Sequence, residues 1–432
     1  MNTAGTKLKI SILLVIAAAF CLTVPAAQAE IAGETGSNFI LTAKPGHIST
    51  PDGNSIYTWG YGFGGATMQY PGPTLIVNQG DVVTIELFNE LDVPTSLVFP
   101  GHRVTATGGQ KGTLTQEVLP GGIDSAVYAF EATNPGTYMY QSGTEQDLQV
   151  EMGLAGAIIV RPNGGAAGAY AHTSDADDYD EEYLFFITEM DSRVHDLVEN
   201  GLTEWVDTAQ NYDPQYWFIN GRGAPDTLES ADVSWLPNQP YNSLPIMHPG
   251  QKVLMRYVAA GQQLHPFHPH GNHVRMIATD GRLIVDQNDE VVGPELFSQV
   301  TVPGQTMDGI FTWTGQDIGW DIYGHAMSTD CDDNDTSPAD GFDDDTWEWC
   351  ADHGVPMPVT LPELQSVAFG GLWSGSPFLG AMGSLPPGEG GNNPWAGFTY
   401  PWHSHTEKEL LNNDIFPGGM LTFLIIAPWP AP

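Results

Sequence analysis

The sequence predicts an all-β fold, and three observations carry that expectation. Short runs rich in β-branched and aromatic residues recur, such as Thr74-Leu-Ile-Val-Asn78 and Asp81-Val-Val-Thr-Ile-Glu-Leu-Phe88. Turn formers punctuate them, with 50 glycines and 33 prolines in 432 residues. Long amphipathic helical patterns are scarce; only Asp191 to Asn200 and Pro362 to Val367 read as short helices. The length suits two or three domains.

The N-terminus reads as a secretory signal over residues 1–29. Lys7 and Lys9 form its charged start, Ile10 to Leu22 its apolar core, and Ala27-Gln28-Ala29 a cleavage site that leaves Glu30 first. The core is too short to span a bilayer comfortably, and no later segment is apolar enough to cross one. The expected location is periplasmic or extracellular. Cys21 leaves with the signal. Cys331 and Cys350 remain, in an export context that permits disulfides, and are expected to pair.

The chain is strongly acidic, with 13 lysines and arginines against 52 aspartates and glutamates. Nucleic acid and anionic membrane surfaces are therefore poor partners, and cations are good ones.

A first domain is expected over 30–162. Its β-runs are separated by Pro71-Gly-Pro73 and Gln79-Gly80 and continue through Gly136-Thr-Tyr-Met-Tyr140 and Gly156-Ala-Ile-Ile-Val160. Residues 163–182 turn Gly- and Ala-rich and then acidic, and read as a linker. A second domain over 183–432 opens with Tyr183-Leu-Phe-Phe-Ile187.

The two domains read as copies of one unit. Asn78-Gln-Gly-Asp-Val-Val-Thr-Ile85 echoes His248-Pro-Gly-Gln-Lys-Val-Leu-Met255. Leu97-Val-Phe-Pro-Gly-His102 falls opposite Phe267-His-Pro-His-Gly-Asn272, and Tyr140-Gln-Ser-Gly-Thr-Glu145 opposite Trp402-His-Ser-His-Thr-Glu407. Val98, Pro100, Gln141 and Gly143 thus stand where the second copy has His268, His270, His403 and His405.

Those histidines carry the chemistry. In a strand, residues two apart face the same side, so each H-x-H pair presents two imidazoles together. Two such strands side by side converge four nitrogens, enough for one or two copper or zinc ions. Lone histidines are ordinarily surface or satisfied core residues, as His47, His195, His325 and His353 are expected to be; two H-x-H pairs argue otherwise. His273 follows His270 by three residues, as a spare ligand or a group behind the ligands. Glu407 is a candidate ligand or base, and Glu409 reads as a solvated carboxylate.

Between the pairs runs an excursion over about 315–399. Eight aspartates from Asp330 to Asp345, seven of them between Cys331 and Cys350, form either a solvated acidic loop or a calcium site, although Asp335 occupies the place of the EF-hand glycine.

At Pro71-Gly-Pro-Thr-Leu-Ile-Val-Asn-Gln-Gly-Asp81, Ile219-Asn-Gly-Arg222, His265-Pro-Phe-His-Pro-His-Gly271, Thr279-Asp-Gly281 and His403-Ser-His405 with Met420, the sequence resembles the multicopper oxidases. The resemblance covers nearly the whole mature chain and implies tandem cupredoxin-like Greek-key β-sandwich domains. It is nearest the two-domain branch, whose members are often trimers. It implies that His265 is a type 1 copper ligand with Met420 axial, that His268 is a type 2 ligand, and that His270, His403 and His405 are type 3 ligands. The departures are Ser404 at the type 1 cysteine, Glu409 at the second type 1 histidine, and no imidazole at Val98, Pro100, Gln141 or Gly143. A blue site needs a thiolate, and four imidazoles do not hold three coppers in ordinary coordination.

Three functions follow as expectations. One is an exported copper protein using a reduced His-ligated site to oxidise a small-molecule reductant or metal ion. The second is a non-enzymatic metal-binding, surface or assembly protein. The third is a zinc site with Glu407 as hydrolytic base.

Overall fold

The structure is a computed structural model describing residues 31–163, 168–202, 211–248, 250–313 and 398–427, with the backbone of 342–343 and 348–349. The expected signal, the Cys331–Cys350 pair, the carboxylates of the acidic loop and the 362–367 helix lie outside the described residues.

The first domain is two packed sheets. One orders Ser55–Phe63, Asn38–Ser49, Val82–Asn89, Ser125–Glu131 and Thr105–Gly108; the other orders Glu34–Thr35, Gly72–Asn78, Ala155–Arg161 and Gly136–Gln141. The sequence sets their faces. Along Val82–Asn89, Val83, Ile85 and Leu87 are buried while Thr84 and Glu86 are partly exposed, the period-2 alternation of a strand with one face in the core. Leu41, Leu75, Val77, Tyr128, Tyr140 and Ile158 join them from both sheets.

The second domain repeats the plan. One sheet runs Tyr216–Ile219, Glu181–Met190, Lys252–Ala259, Thr306–Thr312, Val274–Thr279 and Arg282–Leu283; the other runs Ile246–Met247, Leu421–Ile426, Phe398–Ser404, His265–Pro269 and Gln299–Thr301. Lys252–Ala259 is buried almost throughout because both faces are covered. Val253, Met255 and Tyr257 enter the second core, whereas Val258 packs with Phe186 against Met139, Ala157 and Ile159 of the first domain. Burying one such side chain contributes roughly 1.5–3 kcal/mol. A buried polar knot sits in the same interface: Arg256 donates to Glu182 (2.9 Å) and to Thr137 (3.0 Å), and Thr137 donates to Asp308 (2.6 Å).

The stretch read as a linker is not a free tether. Ala169 packs with Leu254, Ile277 and Ile310, and the second domain's first strand already begins at Glu181. Asp177 is fully buried because its carboxylate accepts the Tyr170 N–H (2.7 Å) and the His172 N–H (3.3 Å). Backbone donors offset the cost of burying that charge. The helix expected over 191–200 is present as Ser192–Glu199, with Asp191 accepting from the Arg193 N–H as its N-cap. It carries one correction. His195, expected at the surface, is fully buried against the first domain, with Nδ1 2.5 Å from the Tyr57 carbonyl.

Candidate metal centre

His268 and His403 face each other across the antiparallel pair formed by His265–Pro269 and Phe398–Ser404. Directly opposed residues share a face, so both H-x-H pairs project to the same side. The His268 ring lies 4.3 Å from that of His405, 4.7 Å from His270 and 5.7 Å from His403, between ring centres; His270 and His403 are 5.1 Å apart. The four imidazoles are one cluster, built by strand register.

Second contacts on the rings decide which nitrogens face inward. His268 Nδ1 is 2.6 Å from the Phe297 carbonyl, and His403 Nδ1 is 2.7 Å from the Ser404 carbonyl. A carbonyl only accepts, so each Nδ1 carries the proton and each Nε2 presents a lone pair. His403 Nε2 stands 3.1 Å from His270 Nε2. Among the described residues, the Nε2 atoms of His268 and His405 are buried with no hydrogen-bond partner. Burial, reinforced by the neighbouring imidazoles, lowers the His268 pKa to about 3, and burial also lowers that of His403. Neutral rings with inward lone pairs are metal donors. Each unsatisfied buried nitrogen costs about 1–3 kcal/mol, which a bound cation would relieve.

Phe297, not anticipated from sequence, covers the cluster. Its ring is 4.1 Å from His268 and 5.6 Å from His405, and it remains 37% exposed. The Trp402 indole donates to the His270 carbonyl (2.9 Å) from the core side.

The other expected site residues stand apart. His273 is exposed and lies beside Phe297, 5.7 Å between rings, outside the four-ring cluster. Glu407 is exposed at the start of the short turn Glu407–Leu410. His265 shares its strand with His268 but is three residues away, so it faces the opposite side. There its Nε2 meets Glu189 Oε2 (2.8 Å) and its Nδ1 meets Glu409 Oε2 (3.1 Å). Glu409, read as solvated, is buried and accepts from the Ser404 hydroxyl at 2.5 Å. That compensation is why it can leave water. Burial opposes charging His265, but its contacts with the Glu189 and Glu409 carboxylates outweigh it and raise its pKa to about 9.

Glu189 was missed. The one available signal was a carboxylate inside the apolar run Tyr183-Leu-Phe-Phe-Ile-Thr-Glu-Met190.

The first domain keeps the same geometry without the imidazoles. Val98 and Gln141 form an antiparallel bridge, and a side chain at Gly143 would strike Val98. The multicopper oxidase family profile matches residues 54–165, the core of this domain. Laccase 1 of Metarhizium majus is 30% identical over 183 residues, covering 42% of this chain and 26% of the laccase. L-ascorbate oxidase of Cucurbita maxima is 29% identical over 168 residues, covering 37% of this chain and 26% of that enzyme. Residues 54–165 thus carry a multicopper oxidase match, and these likenesses support that superfamily for the chain. It spans about a quarter of the length of these relatives. The blue copper oxidase of Nitrosomonas europaea superposes with a TM-score of 0.55 at 15% identity, over 91% of this chain and 86% of that one, a likeness of fold. The likeness to multicopper oxidases implies copper as the metal, and neither zinc nor calcium has comparable support.

Proposed function

We propose that this chain holds copper on His268, His270, His403 and His405 and uses it to oxidise a small reductant or metal ion. The observation that carries the reading is the pair of buried, unpartnered Nε2 atoms on His268 and His405, beside His270 and His403 Nε2 at 3.1 Å. Copper bound there would supply one-electron redox chemistry at a His-ligated centre with open coordination positions. The chain's own residues prepare the site. The carbonyls of Phe297 and Ser404 fix the tautomers, and Phe297 limits water above His268. The formal charge of −39 draws cationic reductants toward the protein.

Ser404 favours a second reading, a metal-binding protein without turnover, because a serine and not a cysteine stands between His403 and His405. Metal analysis of protein purified without added metal, followed by O₂ uptake with a phenolic donor or a ferrous salt, separates the two. Copper with O₂ uptake supports the oxidase; copper without it supports the binder. Zinc in place of copper would overturn both as written. The proposal includes export: secreted or periplasmic protein should begin at Glu30.

A further inference from the structure

We infer that the position marked by His265, Ser404, Glu409 and Met420 is closed to copper and is held instead by a buried imidazolium, His265, clamped between Glu189 and Glu409. This goes beyond the proposed function, which concerns the opposite face of the same two strands.

Both His265 nitrogens face carboxylates, Nε2 in a hydrogen bond and Nδ1 in an ion-pair contact alone. A hydrogen bond of 2.8 Å joins Nε2 to Glu189 Oε2, and an ion-pair contact of 3.1 Å brings Nδ1 to Glu409 Oε2. Carboxylates accept and do not donate, so a ring between two of them is stable with a proton on each nitrogen. Such a ring has no lone pair left for a metal.

The backbone supplies donors to the buried Glu189 carboxylate. Its Oε1 accepts the N–H groups of Gln262 (2.5 Å) and Gln263 (2.9 Å). Gly261, at φ +142°, passes so close that an added Cβ would lie 2.2 Å from Glu189 Oε2. On the far side, the Ser404 hydroxyl is committed to Glu409. Met420 is fully buried, and its thioether is a weak donor that does not hold copper by itself.

The clamp has a positioning role. Glu409 is tied to Ser404, which lies between His403 and His405, and its backbone carbonyl accepts the Met420 N–H at 2.8 Å. His265, Glu189 and Glu409 therefore fix the strand that presents His403 and His405, from the side away from the imidazole cluster.

The test uses full-length protein with ¹⁵N-labelled histidine, titrated with Cu(I) under argon at neutral pH. The expected result is a His265 ring protonated on both nitrogens before and after Cu(I) addition, while the ring signals of the four cluster histidines shift. Glu409→Gln keeps the shape and removes one charge, so it should move the His265 ring signal more than any other. A His265 ring with a single N–H in the metal-free protein, or one that loses an N–H as Cu(I) is added, overturns the inference. Cluster signals that ignore Cu(I) while His265 stays doubly protonated would defeat the copper reading and leave the clamp standing.

Discussion

Val98 and Gln141 pair across an antiparallel bridge in the first domain as His268 and His403 do in the second. The frame of the site is therefore present twice, and only one copy is armed with imidazoles. Val98→Ala with Gln141→Ala should leave copper per chain unchanged, read by elemental analysis after loading and desalting. A loss of copper would place a metal site in the first domain.

Colour is the second consequence. Ser404, on the core face beside Glu409, offers no thiolate to a bound copper at this position. Copper-loaded protein should lack the intense charge-transfer band at roughly 600 nm that copper–thiolate sites give. An intense band there contradicts the assignment of Ser404.

Stability should depend on pH through His265. Glu189 and Glu409 face its ring, with Ser404 on Glu409, and Tyr212 donating to Glu151 beside Glu189. Its folded pKa, about 9, lies above the ordinary value of 6.5. The folded state thus binds the proton more tightly than the unfolded one. The contribution is fully present below about pH 6.5 and is lost as pH rises through about 9, on the order of 3 kcal/mol in all. Urea midpoints of the metal-free protein at pH 6.5 and 9.5 check this, and His265→Gln should flatten the difference.

Much of the site was legible because strand periodicity is a strict rule. An H-x-H pair on each of two strands required only register to bring four rings together, and the repeat supplied the register. The same period separated His265 from His268. Glu189, Glu409 and His195 were not legible, because burial of a charged group depends on partners distant in sequence. Glu189 is satisfied by amides at Gln262 and Gln263 and by His265, more than 70 positions away. The acidic stretch before Glu182 misled for the same reason: Asp177 finds backbone donors, and Glu182 finds Arg161 and Arg256.

Glu182 also bears on how the domains are joined. It is buried between Arg161 of the first domain and Arg256 of the second, and those guanidiniums hold it ionised below the usual carboxylate range against the cost of burial. Glu182→Gln leaves buried positive charge undercompensated and should cost about 3–5 kcal/mol in denaturant unfolding. A change under about 0.5 kcal/mol, as for ordinary surface substitutions, would contradict this role for the pair.

The central claim is that one metal centre is built from His268, His270, His403 and His405. His268→Ala with His405→Ala removes one imidazole from each strand and leaves no H-x-H pair complete. Two nitrogen donors compete poorly with water and buffer for copper. The backbone pairing of the two strands does not depend on those rings, so the fold should persist. Copper stoichiometry of this double variant after equilibrium dialysis, with circular dichroism to confirm the sheets, is the most direct measurement. The account predicts that tightly bound copper falls to none while the β-sheet spectrum is unchanged. Copper retained at the wild-type stoichiometry by the folded double variant would contradict it.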